Sequence, residues 1–231
     1  MISEETEMMT VAGQDLSIEE CVARLHKYAI ENHRAVEEYD DLVGGPLRSI
    51  SPEQVRATRR MSSRISQAEV DWFVDRAAET GTPWIEGADS DLVDADPAVH
   101  GGLYDHALDL FDWFAGTGKM KIGTAKVSKV LYLKYPALFP ILDSRLSRLY
   151  RAEAERSADR YRDQGRDYRR MYWSAIRDDV IANRATGALD DARQRLRTAA
   201  DSGDAHSDRI LRLTRLSDLR LLDVLAWTEG H

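Results

Sequence analysis

The sequence predicts an all-α protein. No segment sustains the period-two alternation of β-branched residues that marks a strand. Apolar residues instead recur at three- and four-residue spacing through most of the chain, and helix-start residues precede many of those stretches. The 231 residues, 43% hydrophobic and 31% charged, suit one globular domain or two closely packed subdomains.

The first residues, "MISEETEMMTVAGQD", are polar and carry no periodicity, so 1–15 is expected to be a disordered lead-in and 16–231 the folded domain. In "LSIEECVARLHKYAIENHRAVEEY", Ser17 with Glu20 three residues on forms a capping box. Gly44-Gly45-Pro46 breaks the chain, and Ser51-Pro52-Glu53 restarts it as a cap followed by proline at the first helical position. "SQAEVDWFVDRAAETG" is a third helix, and the Gly-, Pro- and Asp-rich stretch 82–102 a loop. "LYDHALDLFDWFAGTG" places Leu103, Ala107, Leu110, Phe111 and Phe114 on one stripe and Asp105, Asp109 and Asp112 on the other face. With no histidine there, that acidic face is a solvated surface rather than a metal site. "IGTAKVSKVLYLKY" is a fifth helix that stops before Pro136, and "DSRLSRLYRAEAER" starts a sixth at Asp143. "YRRMYWSAIRDDVIANRA", "ALDDARQRLRTAA" and "LSDLRLLDVLAWTEG" complete the helical set.

The one cysteine, Cys21, excludes intrachain disulfides and cysteine-ligated zinc or iron–sulfur clusters, and His26, His33, His100, His106 and His206 show no metal spacing. No cofactor is expected. No apolar run approaches a membrane span, and the N-terminus has no secretory pattern, so a cytoplasmic location is expected. The net charge of -8 argues against nucleic acid, but its distribution does not. Five of the six lysines fall between Lys119 and Lys134, and Arg145, Arg148 and Arg151 follow. From Gly116 to Arg151 the only acid is Asp143, so this window carries +7 and the remainder -15. One basic island on an acidic body is an electrostatic footprint for phosphate.

Within this window, Gly116, Gly118 and Gly123 lead into a helix whose N–H groups and dipole favour an anion. Lys119, Lys121, Lys126 and Lys129 add attraction that is independent of sequence. Asp143 has two readings. It is a preferred helix N-cap, and it is also an ionised carboxylate at a helix start, where the dipole favours the charge. A carboxylate so placed suits cleavage of an N-glycosidic bond, because positive charge develops on the sugar as the base departs.

"IGTAKVSKVL…FPILDSRLSRLY" resembles the core of the helix-hairpin-helix DNA glycosylase superfamily. The likeness covers about 103–151. Thr124 and Ala125 match the family's helix opening, and Asp143, Ser144, Arg145, Leu146 and Arg148 match its catalytic aspartate and the polar, aliphatic and arginine residues that follow. The resemblance implies two helical lobes around a cleft, DNA as partner, Asp143 as the catalytic residue, and Thr124, Ser144, Arg145 and Arg148 on the DNA side. The sequence departs from the family in three ways: the hairpin glycines are shifted to "GTGKMKIGTA", the connector to Asp143 is about two residues longer, and Gly123 stands where bifunctional members keep a Schiff-base lysine. A monofunctional enzyme is therefore implied, one that removes a modified or damaged base, such as invading phage DNA carries, and leaves an abasic site. The chain is also similar to an uncharacterised bacterial family whose members end in a helix like residues 220–227, "RLLDVLAW".

Base flipping needs an aromatic pocket. Trp84, Trp113, Tyr132, Tyr135 and Tyr150 are the candidates, each with the alternative of a core position. The competing function is a non-catalytic helical module that binds DNA or an acidic protein on the same scaffold.

Overall fold

The described part of the chain opens with two strands. The computed structural model describes residues 8–116, 120–202 and 205–229. Strand β1 (Met8–Val11) pairs antiparallel with β2 (Gln14–Ser17), Met9 opposite Leu16 and Val11 opposite Gln14. Ala12 and Gly13 between them both have positive φ, the conformation of a type I′ hairpin turn. The disordered lead-in expected over 1–15 is thus corrected from residue 8 onward, and residues 1–7 lie outside the described residues. Met9 and Val11 anchor the hairpin in the core. Asn183 brackets its edge, Oδ1 accepting from Thr10 N (2.8 Å) and Nδ2 donating to Thr10 O (2.7 Å). Four paired positions are too short a run to register as alternation, and Ala-Gly is not a usual turn pair for this geometry.

All other regular elements are helical, as the periodicity predicts. Helix α1 (Ile18–Glu31) starts at Ser17, whose Oγ accepts from Glu20 N (3.2 Å). The Glu20 carboxylate takes Arg24 instead of closing the box. Past Asn32 the chain makes a π-helical turn (Ala35–Tyr39) and a 3₁₀ turn (Asp40–Leu42) before the double glycine. Helices α2 (Pro52–Ala57) and α3 (Gln67–Ala78) both open with complete capping boxes, Ser51 with Gln54 and Ser66 with Glu69. Between them a 3₁₀ turn (Thr58–Met61) ends at Ser62, which is left-handed at φ 59°.

Helix α4 (Leu103–Ala115) buries Tyr104, Ala107, Leu108, Leu110 and Phe114, with Leu103 and Phe111 half-buried at the edge of the predicted stripe. Two of the three aspartates meet cations: Asp105 pairs with Arg166, and Asp112 with Arg170 at 2.7 Å, while Asp109 is exposed. Helices α5 (Thr124–Tyr132), α6 (Ser144–Leu149), α7 (Arg151–Arg160), α8 (Tyr172–Thr186), α9 (Ala188–Asp201), α10 (Ser207–Leu213) and α11 (Asp218–Glu229) follow. The helix predicted from Asp143 through Arg156 is divided into α6 and α7 at Tyr150, which leaves helical geometry at ψ 5°. The short α10 had no cap or long period to announce it.

The buried apolar residues run in one continuous cluster from Met9 to Ala226, with a small satellite around Tyr39, Ala57, Tyr132, Leu133 and Ile141. Helix α11 lies deepest: Leu219 through Ala226 are all buried, Arg220 and Asp223 included. No described helix is long and apolar enough to cross a membrane.

The hairpin is latched by Asp179 of α8, whose Oδ2 accepts from Ala12 N (2.6 Å) and from the buried Tyr150 hydroxyl (2.9 Å). Asp179→Ala leaves both donors buried without a partner, at a cost of order 1–3 kcal/mol each. Stability in urea is expected to fall by about 2–4 kcal/mol. Hydrogen exchange should rise over residues 8–17 before the rest of the chain.

Candidate functional site

The connector before Asp143 is held from two sides. Ser128 Oγ of α5 accepts from Leu142 N (3.2 Å), and Asp223 Oδ2 of α11 accepts from Ile141 N (2.8 Å). Pro140 and Ile141 are buried, so this backbone has no water to bond instead. The next residue, Asp143, caps α6: its Oδ1 accepts from Arg145 N (2.9 Å) and Leu146 N (3.1 Å). Oδ2 accepts no bond from any described residue. Asp143 is half-buried and lines a cleft of ≈ 380 Å³. Tyr28, Asn32, Arg60, Met61, Lys129 and Trp227 form the other walls.

Aromatic surface and positive charge meet in this cleft. Tyr28 and Trp227 pack edge to face with centroids 5.9 Å apart, and the Arg145 guanidinium lies 4.6 Å from the Trp227 ring centre. Lys129 donates from Nζ to Met61 O at 2.5 Å and is 6% exposed. Burial pushes its ammonium below the usual lysine range, with Asp143 pulling the other way.

Behind the cleft lies a buried ionic network. Arg220 Nε donates to Asp40 Oδ1 (3.1 Å), and its Nη2 donates to the Tyr28 hydroxyl (3.1 Å). The Tyr132 hydroxyl donates to Asp40 Oδ1 at 2.9 Å, and its ring faces the Arg220 guanidinium at 5.4 Å. Asp223 Oδ1 is buried with no hydrogen-bond partner among the described residues. Burial raises the Asp223 carboxyl to about 7, although Arg220 and the Ile141 N–H both act to lower it.

The residues singled out in the sequence are distributed unequally over this geometry. Asp143, Lys129, Ser144 and Arg145 come together at the cleft. Arg148 is exposed on α6. Lys121 and Thr124 line a different hollow of ≈ 460 Å³ that shares no lining residue with the first, and Gly123 caps α5 in the open. Lys126 pairs with Glu69 at 2.5 Å. Lys134 is buried and donates to Gly44 O (2.9 Å), closing the double-glycine turn. Among the described lysines of 119–134, Lys126, Lys129 and Lys134 are thus engaged with acceptors of the chain itself and Lys121 lines a separate hollow, so these four do not form one cationic wall at the cleft. Gly118 and Lys119 lie outside the described residues. Gly116 ends α4 at φ 64° with its N–H on Asp112 O, and a Cβ there would sit 2.4 Å from Met120 O and 2.8 Å from Trp72 Cζ2. Close packing, rather than an open amide for phosphate, accounts for that glycine.

The predicted base pocket is also redrawn. Tyr135 and Tyr150 are core residues whose hydroxyls donate to Ile85 O and Asp179, and Tyr132 belongs to the ionic network. Trp84 packs on Phe114. Trp113 is covered by the Arg76 guanidinium at 3.4 Å. The aromatics at the cleft are Tyr28 and Trp227, neither of them among the five candidates. Arg220, Asp223 and Trp227 recur at three- and four-residue spacing in the apolar run "RLLDVLAW", so charges on an otherwise buried stripe were the available signal.

Two expectations follow for the network. Arg220→Met leaves Asp40 buried without its cation, and stability is expected to drop by about 3–5 kcal/mol in chemical denaturation. The Asp223 carboxyl titrates near 7 in the fold against an ordinary value of 3.8, so its contribution to stability is complete below about 4 and is lost as pH rises through about 7. Between pH 5 and 8 the thermal midpoint of wild type should therefore fall relative to that of Asp223→Asn. Parallel curves would remove this assignment.

No curated protein and no solved structure matches the chain. A family model does match, over residues 21–230, and by that extent the chain belongs to a family of unknown function (DUF6308).

Proposed function

We propose that this protein is a monofunctional DNA N-glycosylase acting on a modified or damaged base, with Asp143 as its catalytic residue. The observation that carries the proposal is the division of labour within one carboxylate. Oδ1 is fixed by two backbone N–H groups, Oδ2 accepts no bond from a described residue, and Asp143 lines a cleft with an aromatic wall. A carboxylate held by its own helix start needs no reorganisation when charge develops nearby, and such pre-orientation is what stabilises a transition state of oxocarbenium character.

The cleft volume of ≈ 380 Å³ falls within the range of small-molecule sites, and Tyr28 and Trp227 offer ring surface for an extruded base. As the base leaves with the bonding electron pair, the sugar carries the positive charge and water adds to it, giving an abasic site. Lys129 stands at the same cleft and donates to Met61 O, an arrangement that fits a positioning group. The resemblance of 103–151 to the helix-hairpin-helix glycosylases supports the same chemistry. Modified phage DNA is one source of such a base.

A second reading, a helical binding module without chemistry, is favoured by the cap itself. Two backbone bonds account for an aspartate at this position without any substrate. Asp143→Asn separates the two, since asparagine caps as well as aspartate. On duplexes carrying a panel of modified bases, the variant is expected to lose base excision by about 10²-fold or more while keeping its thermal midpoint and DNA affinity. Equal excision by variant and wild type would exclude Asp143 as the catalytic residue.

A further inference from the structure

We infer that the turn from Arg56 to Arg64, part of which lines the Asp143 cleft, is a binding surface for the phosphodiester backbone of DNA. The inference rests on the DNA reading above but not on its chemistry.

Four arginines occupy nine residues here: Arg56, Arg59, Arg60 and Arg64, all exposed. Most arginines elsewhere in this acidic chain are neutralised by a carboxylate, as in the pairs Arg24–Glu20, Arg160–Asp178, Arg184–Asp91, Arg195–Asp191 and Arg220–Asp40. The turn is different. Arg56 reaches only the neutral Gln67 Oε1 (3.2 Å), Arg59 only the backbone oxygen of Ile65 (3.0 Å), and Arg64 no described residue. Arg60 alone has an acid, Glu38 at 2.5 Å. Glu53 is the other carboxylate in the neighbouring hollow, so the turn and these two acids together stay net positive.

The placement gives these charges a direction. Arg60, Met61 and Ser62 line the Asp143 cleft, while Arg56, Arg59 and Arg60 line a hollow of ≈ 460 Å³ beside it. The two depressions share Arg60, so arginine side chains line both the Asp143 cleft and the hollow beside it. Planar guanidinium groups match phosphate oxygens in paired hydrogen bonds, and contacts of this kind hold a strand without reading its sequence. Ser62 is left-handed, so the turn bends sharply where it meets the cleft, and its conformation is fixed by Ser62 N donating to Arg59 O and Ser63 N to Thr58 O. A net positive cluster on a turn held by its own hydrogen bonds beside the cleft is complementary to a polyanion that must run past Asp143. Lys126, Lys129 and Lys134, engaged with Glu69, Met61 O and Gly44 O, do not fill that role.

The test is the salt dependence of binding. A short fluorescein-labelled duplex is titrated with the Asp143→Asn protein and with the same protein carrying Arg56→Gln and Arg59→Gln, and log affinity is plotted against log salt. Removing two phosphate contacts should lower the slope by about two and weaken binding at every salt concentration. The control pair Arg160→Gln and Arg162→Gln, both carboxylate-paired in the fold, should leave the slope unchanged. Urea midpoints of the variants establish that the fold is kept. An unchanged slope in the Arg56/Arg59 variant overturns the surface even if wild type excises a base. A slope lowered by two, with no excision by wild type on any substrate, supports the surface and removes the enzymatic reading. Absence of DNA binding at low salt overturns both.

Discussion

The hydrogen bond from Ile141 N to the Asp223 carboxylate sets the geometry of the whole site. It holds the chain two residues before Asp143, and it does so with a group that is itself costly to bury. That cost is moderated by Arg220 one turn away, which is held in turn by Asp40 and Tyr28. The position of Asp143 thus depends on an ionic cluster drawn from the segment after α1, from α5 and from α11. Low dielectric around such a cluster makes each bond stronger and each missing partner more expensive, so it tolerates one arrangement and few others.

Much of the fold was legible because its starts are chemically explicit. Ser17 and Ser51 cap helices where the sequence places them, and Asp143 caps α6 as one of its two readings requires. The hairpin escaped because four residues per strand carry too little alternation, and because its stability comes from Asn183 and Asp179, more than 160 positions away. The break at Tyr150 escaped because the residue is drawn inward by Asp179, a tertiary contact with no local mark.

The candidate site was legible at its centre and not at its walls. Asp143 and Lys129 were accessible to a charge argument; Tyr28, Asn32, Arg60 and Trp227 join them only through folding. Formal charge also proved a poor guide to available charge. Lys126 and Lys134 count equally with Arg59 in a sequence window, yet the first two are engaged with Glu69 and Gly44 O, and Arg59 keeps its charge at the surface. Net charge describes a chain, whereas a partner meets only the cations that folding leaves uncompensated.

The bond between Arg220 and Asp40 spans 180 positions, and Trp227 packs on Tyr28 to complete the aromatic wall of the cleft. Contacts of such sequence separation are reached late, after the loop-closure entropy of nearly the full chain has been overcome. A nascent or partly unfolded chain can carry most of its helices and still have no cleft, because α11 supplies the counter-charge and the final wall. Any binding at this site is accordingly linked to docking of α11, and an occupant would stabilise the packing of the last helix along with the fold as a whole.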